Sequence, residues 1–274
     1  MFNRSTPFTC SVVCILTLSL SLLPTLVQAD EAETYRKLLS DKASSLVTVK
    51  FVLKISMGNM GDQENENEIT GVMIAPEGVV ICSNNQLGGF TSMMKKMMGP
   101  MGGGLSATPS DLKVIIGDEL EGREAELVAR DTELDLAWVR IKEPGDQPFD
   151  HVDLTKEVKP QVGQRIVALD RMGKYFARCP VVSEGRIGGI TKSPRNLLAP
   201  NGPLSTAFGL PVFLPDGRCI GVTVMQLPEG EGNLSPMAMM GRLSSIQDMM
   251  AGMILPAADV MKATKRAMET VEKK

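Results

Sequence analysis

The chain has 274 residues and a formal net charge of −3 at pH 7, with no basic block, which disfavours a nucleic-acid partner. Hydrophobic residues make up 43% of the sequence, enough to form a full core in one large domain or in two smaller units. The composition thus indicates a globular protein whose partners are not nucleic acids.

The first 29 residues are typical of a secretory leader. Arg4 supplies a positive end, residues 11–27 form an apolar run interrupted by Pro24, and Val27-Gln28-Ala29 is a small-residue cleavage site. The run is short for a membrane-spanning helix, which needs about 20 residues. We therefore predict an exported protein, periplasmic or secreted, with no stable membrane span after cleavage. A retained membrane anchor is the alternative.

Three cysteines follow the leader, namely Cys82, Cys179 and Cys219. Their spacing fits no zinc motif, and we predict no metal and no cofactor. An odd number cannot all pair within the chain, so one disulfide with one thiol left over is possible. We favour the interpretation that all three are small apolar residues on strands, because each lies among Val, Ile or Pro.

The first half of the chain predicts a helix and several strands. A short helix is expected within residues 30–44, and residues 47–55 alternate as a strand. Residues 57–68 are polar and rich in Asn, which predicts a loop. Residues 71–82 read as a hairpin, and residues 90–111 as an insertion rich in Met, Gly and Lys. Three strands in meander order follow: residues 112–116, 124–130 and 136–141.

The second half begins with a predicted linker that contains residues 144–148, and the chain's one histidine, His151, follows it. Strands are expected over residues 162–169 and 181–190. A hairpin is expected over residues 211–224 around a Pro-Asp-Gly turn. From Pro256 onward, an apolar stripe at helical spacing predicts a closing helix.

Several of these segments resemble the HtrA/Deg-type trypsin-like serine proteases, in the family's order. Residues 71–86 resemble the segment that ends in T-N-N-H-V and carries the catalytic histidine. Residues 129–141 match the segment around the catalytic aspartate, and residues 205–222 resemble G-N-S-G-G-P, the nucleophile region, with the hairpin after it. The resemblance covers roughly residues 45–270.

The resemblance implies an all-β fold of two antiparallel six-stranded β-barrels of the trypsin type, closed by a C-terminal α-helix. It also predicts no PDZ domain, because no Gly-Leu-Gly-Phe-type segment follows the helix. The implied organisation is a leader (1–29), an N-terminal helix (30–44), a first barrel (45–143) containing the insertion (90–111), a linker (144–155), a second barrel (156–255) and a C-terminal helix (256–274).

The triad positions carried over from the family are Gln86, Asp135 and Phe208. Acyl transfer needs a hydroxyl or thiol, an imidazole that accepts its proton and a carboxylate that orients the imidazole. Glutamine does not titrate near neutral pH and a phenyl ring is no nucleophile, so we expect no functional catalytic residue. Ser205 is a weak alternative nucleophile.

Asp135 then needs a structural role, because a buried carboxylate without donors is costly. One hypothesis is that the Gln86 amide donates a hydrogen bond to Asp135. The alternative is that Asp135 only caps local backbone.

Nineteen methionines are present, and five cluster in the insertion. They are Met93, Met94, Met97, Met98 and Met101. Three interpretations of this cluster compete. It is a mobile surface loop, an adaptable apolar surface that binds peptides, or a thioether site for Cu(I).

The function predicted is that of an exported HtrA-like pseudoprotease that binds peptides, unfolded proteins or partner proteins through the former cleft and the Met-rich loop. The alternative is a serine-type endopeptidase with a non-standard active site, which is the activity that the family resemblance alone implies. A Met-rich copper-binding protein is a further alternative.

Overall fold

The fold was obtained as a computed structural model that describes residues 23–57, 61–92, 95, 104–202, 204, 208–226 and 251–271. Most of the predicted leader, Ser205 and the five clustered methionines of the insertion lie outside these residues. No helix within the described ranges is long and apolar enough to cross a membrane.

Six antiparallel strands close into a first barrel in the order β1-β2-β3-β6-β5-β4. The strands are β1 (Leu46–Met57), β2 (Asp62–Ala75), β3 (Val79–Ser83), β4 (Leu105–Ile116), β5 (Arg123–Asp131) and β6 (Leu136–Ile141). Alternate residues such as Val47, Val49 and Phe51 point into the barrel and are buried, as the period of a strand requires. The hairpin β2–β3 turns where the Pro76–Gly78 sequence predicts it.

The second barrel closes in the order β10-β11-β12-β9-β8-β7. Its strands are β7 (Arg165–Arg171), β8 (Pro180–Ile190), β9 (Leu198–Pro200), β10 (Pro211–Phe213), β11 (Cys219–Gln226) and β12 (Ala251–Pro256). With the C-terminal helix that follows, the predicted all-β fold class of two six-stranded barrels is confirmed.

Two helices pack on the barrels. Helix α1 spans Leu23–Lys42 and is followed by a 3-10 turn, Ala43–Ser45, while helix α2 spans Ala257–Val271. Helix α2 begins one residue later than predicted because Pro256 is the last residue of β12. Its Thr264 hydroxyl accepts a hydrogen bond from the Trp138 indole of β6 at 2.9 Å. The closing helix is therefore fastened to the first barrel as well as to β12.

One hydrophobic cluster joins the two barrels and both helices. Leu46 and Trp138 come from the first barrel, Phe213 from the second, Leu38 from α1 and Val260 from α2. Two further clusters belong to one barrel each. Because the shared cluster is buried, the two barrels pack as one body around it.

The predicted polar loop over residues 57–68 is wrong. Strand β1 continues to Met57, β2 begins at Asp62, and the two pair through this region. Cross-strand ion pairs stabilise the polar ladder, with Lys50 Nζ 3.0 Å from Glu66 Oε2 and Lys54 Nζ 3.2 Å from Asp62 Oδ2. The alternation rule misses such a strand because its residues are polar on both faces.

The insertion predicted over residues 90–111 is also too long, because β4 already begins at Leu105. Residues 105–110 form the first half of β4 and pair with β1 from Val52 to Met57. Together with β1 and β2 they extend the wall of the first barrel as a three-stranded arm.

Candidate active-site cleft

Asp135 lies at the junction of the two barrels, immediately before β6. Its backbone adopts a positive φ of 55°, a conformation that aspartate tolerates better than most residues. The residue is only 1% exposed. A carboxylate this deeply buried must find hydrogen-bond donors within the protein.

Four hydrogen bonds from three residues satisfy this carboxylate. The Ser83 hydroxyl, at the end of β3, lies 3.0 Å from each carboxylate oxygen. The backbone N–H of Asn85 donates to Oδ1 at 2.7 Å, and that of Met225 donates to Oδ2 at 2.8 Å. Since Met225 belongs to β11, the carboxylate bridges the first and second barrels.

The electrostatics of the site follow from this environment. Burial raises the pKa of Asp135 to about 6, against the hydrogen bonds from Met225, Asn85 and Ser83, which lower it. Desolvation therefore outweighs three favourable donors. The carboxyl takes up its proton slightly below neutral pH.

The predicted hydrogen bond from the Gln86 side chain to Asp135 is not formed. Gln86 is exposed, and its backbone N–H instead donates to the Ser83 hydroxyl at 3.3 Å. Beyond Ser83 the chain enters a turn, Asn85–Gly89, whose first residue contacts the carboxylate through its backbone N–H. The alternative, in which Asp135 caps backbone N–H groups, is closer to what the structure contains.

The segment aligned with the nucleophile region packs against the end of β3. Gly209 has a φ of +76°, and a Cβ there would lie 2.9 Å from the Ser83 nitrogen. The Gly209 N–H donates to the Thr223 carbonyl at 2.7 Å. Phe208, which is predicted to take the position of the family's serine, is half-buried beside this contact. Gln86, Asp135 and the segment of Phe208 and Gly209 thus all lie around Ser83, at the end of β3.

The chain's histidine is engaged elsewhere. His151 is exposed on the segment between the barrels, and its Nδ1 lies 3.1 Å from the Phe149 carbonyl oxygen. Among the described hydrogen bonds to Asp135, none comes from an imidazole.

The three cysteines that the structure describes are free thiols. Cys82 and Cys219 are buried on strands, and burial raises the pKa of each thiol to about 12. The expectation of a buried strand residue is wrong for Cys179, which is exposed just before β8. Over the described ranges, no group of three or more His, Cys, Asp or Glu side chains is placed to hold a metal.

A cavity of about 400 Å³ lies away from this cleft, between the first barrel and the segment after β6, where Met73, Arg123 and Phe149 contribute to its wall. None of the residues around Asp135 lines it.

Sequence reasoning missed two partners of Asp135. Ser83 precedes the Asn84-Asn85 pair, where the family has threonine. A hydroxyl residue at this position could therefore have been predicted as a donor to Asp135. Met225 contributes only its backbone N–H, and no side-chain pattern marks such a donor.

Two closed six-stranded barrels that meet at a buried aspartate define the class of trypsin-like double-barrel proteins. Residues 69–222, more than half of the chain, match the model of the trypsin-like peptidase domain. The chain belongs to this family, and the predicted resemblance is confirmed. A comparison with curated proteins finds no match.

Proposed function

We propose that this protein is an exported, catalytically inactive member of the trypsin-like family that binds peptides or partner proteins. The observation that carries the proposal is the set of donors around Asp135. In a working triad this carboxylate orients an imidazole. Here a serine hydroxyl and two backbone N–H groups donate to the carboxylate, and none of its described hydrogen bonds comes from an imidazole.

The remaining groups do not restore the chemistry. An amide at position 85 or 86 cannot accept a proton at neutral pH. Asp135 has a pKa of about 6 but is buried, and its partners occupy both oxygens, so it is a poor base for a substrate or water. Ser205 would need a base from outside this region.

Binding is the function that such a site retains. The contacts of Asp135 and Gly209 preserve the packing between the barrels where family members hold substrates. The half-buried Phe208 ring offers an apolar contact in place of a nucleophile. The five methionines of the insertion, which lie outside the described residues, have thioether side chains that suit varied peptides.

Active-site labelling tests the inactivity. We expect no fluorophosphonate labelling of the chain and no turnover of casein. Labelling and turnover that both disappear in Ser205→Ala would instead establish the alternative, a serine endopeptidase with a non-standard site.

Peptide binding is tested by the fluorescence anisotropy of labelled casein peptides. We expect binding that weakens when Met93, Met94, Met97 and Met98 are changed to serine, and that also weakens in Phe208→Ser. Met172→Ser, which alters an exposed methionine on another loop, is the matched control. Absence of binding to the unaltered chain would contradict the proposal.

A further inference from the structure

The turn between β7 and β8 carries an exposed apolar tip. Residues 172–177 are six consecutive exposed positions, and a Cβ added to Gly173 would meet open space. Within them Tyr175 is 92% exposed, Phe176 54% and Met172 38%. Three large apolar side chains on one projecting turn are unusual for a surface that contacts only water.

Hydrogen bonds hold this turn in shape. The Met172 N–H donates to the Cys179 carbonyl at 3.0 Å, and the Cys179 N–H donates to the Phe176 carbonyl at 3.1 Å. The Tyr175 and Phe176 rings pack edge to face with centroids 5.0 Å apart. The tip is therefore a preformed element rather than a loose loop.

The base of the turn is anchored in the first barrel and on the 3-10 turn that follows α1. Arg178 is buried, and its Nη2 donates to Glu68 of β2 at 2.8 Å. Arg171 donates from Nε to the Leu46 carbonyl and from Nη2 to the Ala43 carbonyl, each at 2.8 Å. Ala177 and Arg178 adopt positive φ values of 52° and 50°, an unfavourable geometry that these contacts maintain.

The charge of the turn is positive at its tip. Residues 171–178 contain Arg171, Lys174 and Arg178 and no acidic residue. Asp118 lies near Arg171 and Glu68 pairs with Arg178, so acidic groups face the two arginines at the base. Lys174 is exposed beside the aromatic rings and adds a positive charge at the tip.

We propose that this turn docks the protein on an anionic phospholipid bilayer. Tyr175, Phe176 and Met172 would enter the interface while Lys174 stays among the headgroups, the arrangement that aromatic and basic side chains favour there. A projecting apolar tip suits a deformable lipid surface, whereas a protein partner would need a matching cavity. This attachment is independent of the leader and of the peptide-binding function.

The test places a reporter beside the tip. In the full chain, Cys10→Ser and Cys14→Ser leave Cys179 as the exposed thiol among Cys82, Cys179 and Cys219, so an environment-sensitive fluorophore labels position 179. Vesicles of phosphatidylcholine and phosphatidylglycerol are then added. Because the reporter responds to its own surroundings, it detects insertion of the tip even if another segment also holds the chain on the vesicle.

We expect a blue shift of the fluorophore with these vesicles and a roughly tenfold weaker response in the double variant Tyr175→Ser, Phe176→Ser. Lys174→Glu should weaken binding to phosphatidylglycerol vesicles. Val162→Ser changes an apolar residue that is 60% exposed before β7, at the opposite end of that strand, and should have no effect.

Two results would overturn the proposal. One is a fluorophore that does not respond to vesicles, or that responds equally in the double variant. The other is a blue shift that grows with protein concentration without lipid and is lost in the double variant, since the tip would then contact a second copy of the chain.

Discussion

At the residue scale, Asp135 shows how one buried carboxylate can join two barrels. Its carboxylate accepts hydrogen bonds from β3, from the turn after it and from β11 of the other barrel. The donor from β11 completes this set of hydrogen bonds. Asp135 therefore contributes to the contact between the barrels, and its protonation must affect stability.

Changing Asp135 to Asn should alter the pH dependence of unfolding. The folded pKa of about 6 lies above the unfolded value of about 3.9. The contribution of this group to stability is therefore fully present below about pH 4 and is lost as pH rises through about 6. Relative to Asp135→Asn, we expect the free energy of unfolding of the wild type to fall by roughly 2 kcal/mol between about pH 4 and pH 7.

Urea denaturation of both chains across this pH range measures the difference. The amide itself leaves one N–H donor poorly paired, but that cost does not vary with pH. As a control, Asp216→Asn should give the opposite sign of pH dependence, because hydrogen bonding to Arg218 lowers the pKa of Asp216. Parallel curves for wild type and Asp135→Asn would show that Asp135 does not titrate as described.

Gly209 provides a second prediction at this scale. Alanine at this position would have to adopt a φ of +76° and place its Cβ 2.9 Å from the Ser83 nitrogen. Gly163 has a similar φ of +85°, but no atom lies within 4 Å of a Cβ there. We expect Gly163→Ala to cost about 1 kcal/mol and Gly209→Ala at least about 2 kcal/mol. Equal losses of stability in thermal or urea denaturation would argue against the close contact between Gly209 and Ser83.

At the scale of elements, hairpins and the closing helix were the most predictable parts of the fold. Turn residues such as Pro215, Asp216 and Gly217 define the β10–β11 hairpin locally. The polar start of β2 has no such local signal, because its ladder is stabilised by lysines on β1. The sequence of one strand does not reveal a partner strand that neutralises its charge.

Helix α2 gives the prediction that belongs to this scale. Thr264→Val removes the acceptor of the buried Trp138 indole and should cost about 1–3 kcal/mol. Thr270→Val is the matched control, because the exposed Thr270 hydroxyl donates only to the Arg266 carbonyl of its own helix. Denaturation monitored by the fluorescence of Trp138 compares the two. A Thr264→Val chain as stable as the control would mean that the indole bond does not fasten the helix.

At the scale of the whole molecule, the order of the motifs along the chain was sufficient to predict two barrels. The packing between them was not predictable in detail. Asp135 was identified from its motif, whereas its Met225 donor comes from a backbone group 90 residues away. Contacts made by backbone groups depend on how the barrels dock, and the docking follows from shared burial around Trp138 and Phe213 rather than from any local pattern.

This shared core predicts that the barrels unfold together. Each barrel contains one buried thiol, Cys82 in β3 and Cys219 in β11, while Cys179 is exposed. Alkylation at increasing urea, followed by mass spectrometry of the peptides, reports on each barrel separately. We expect Cys179 to react without urea, and Cys82 and Cys219 to become reactive together at one higher urea concentration, because the cluster of Leu46, Trp138 and Phe213 cannot be exposed from one side only. Reaction of Cys219 well before Cys82, or the reverse, would mean that one barrel opens while the other remains folded and that the interface, with its Asp135 bridge, is weaker than its burial indicates.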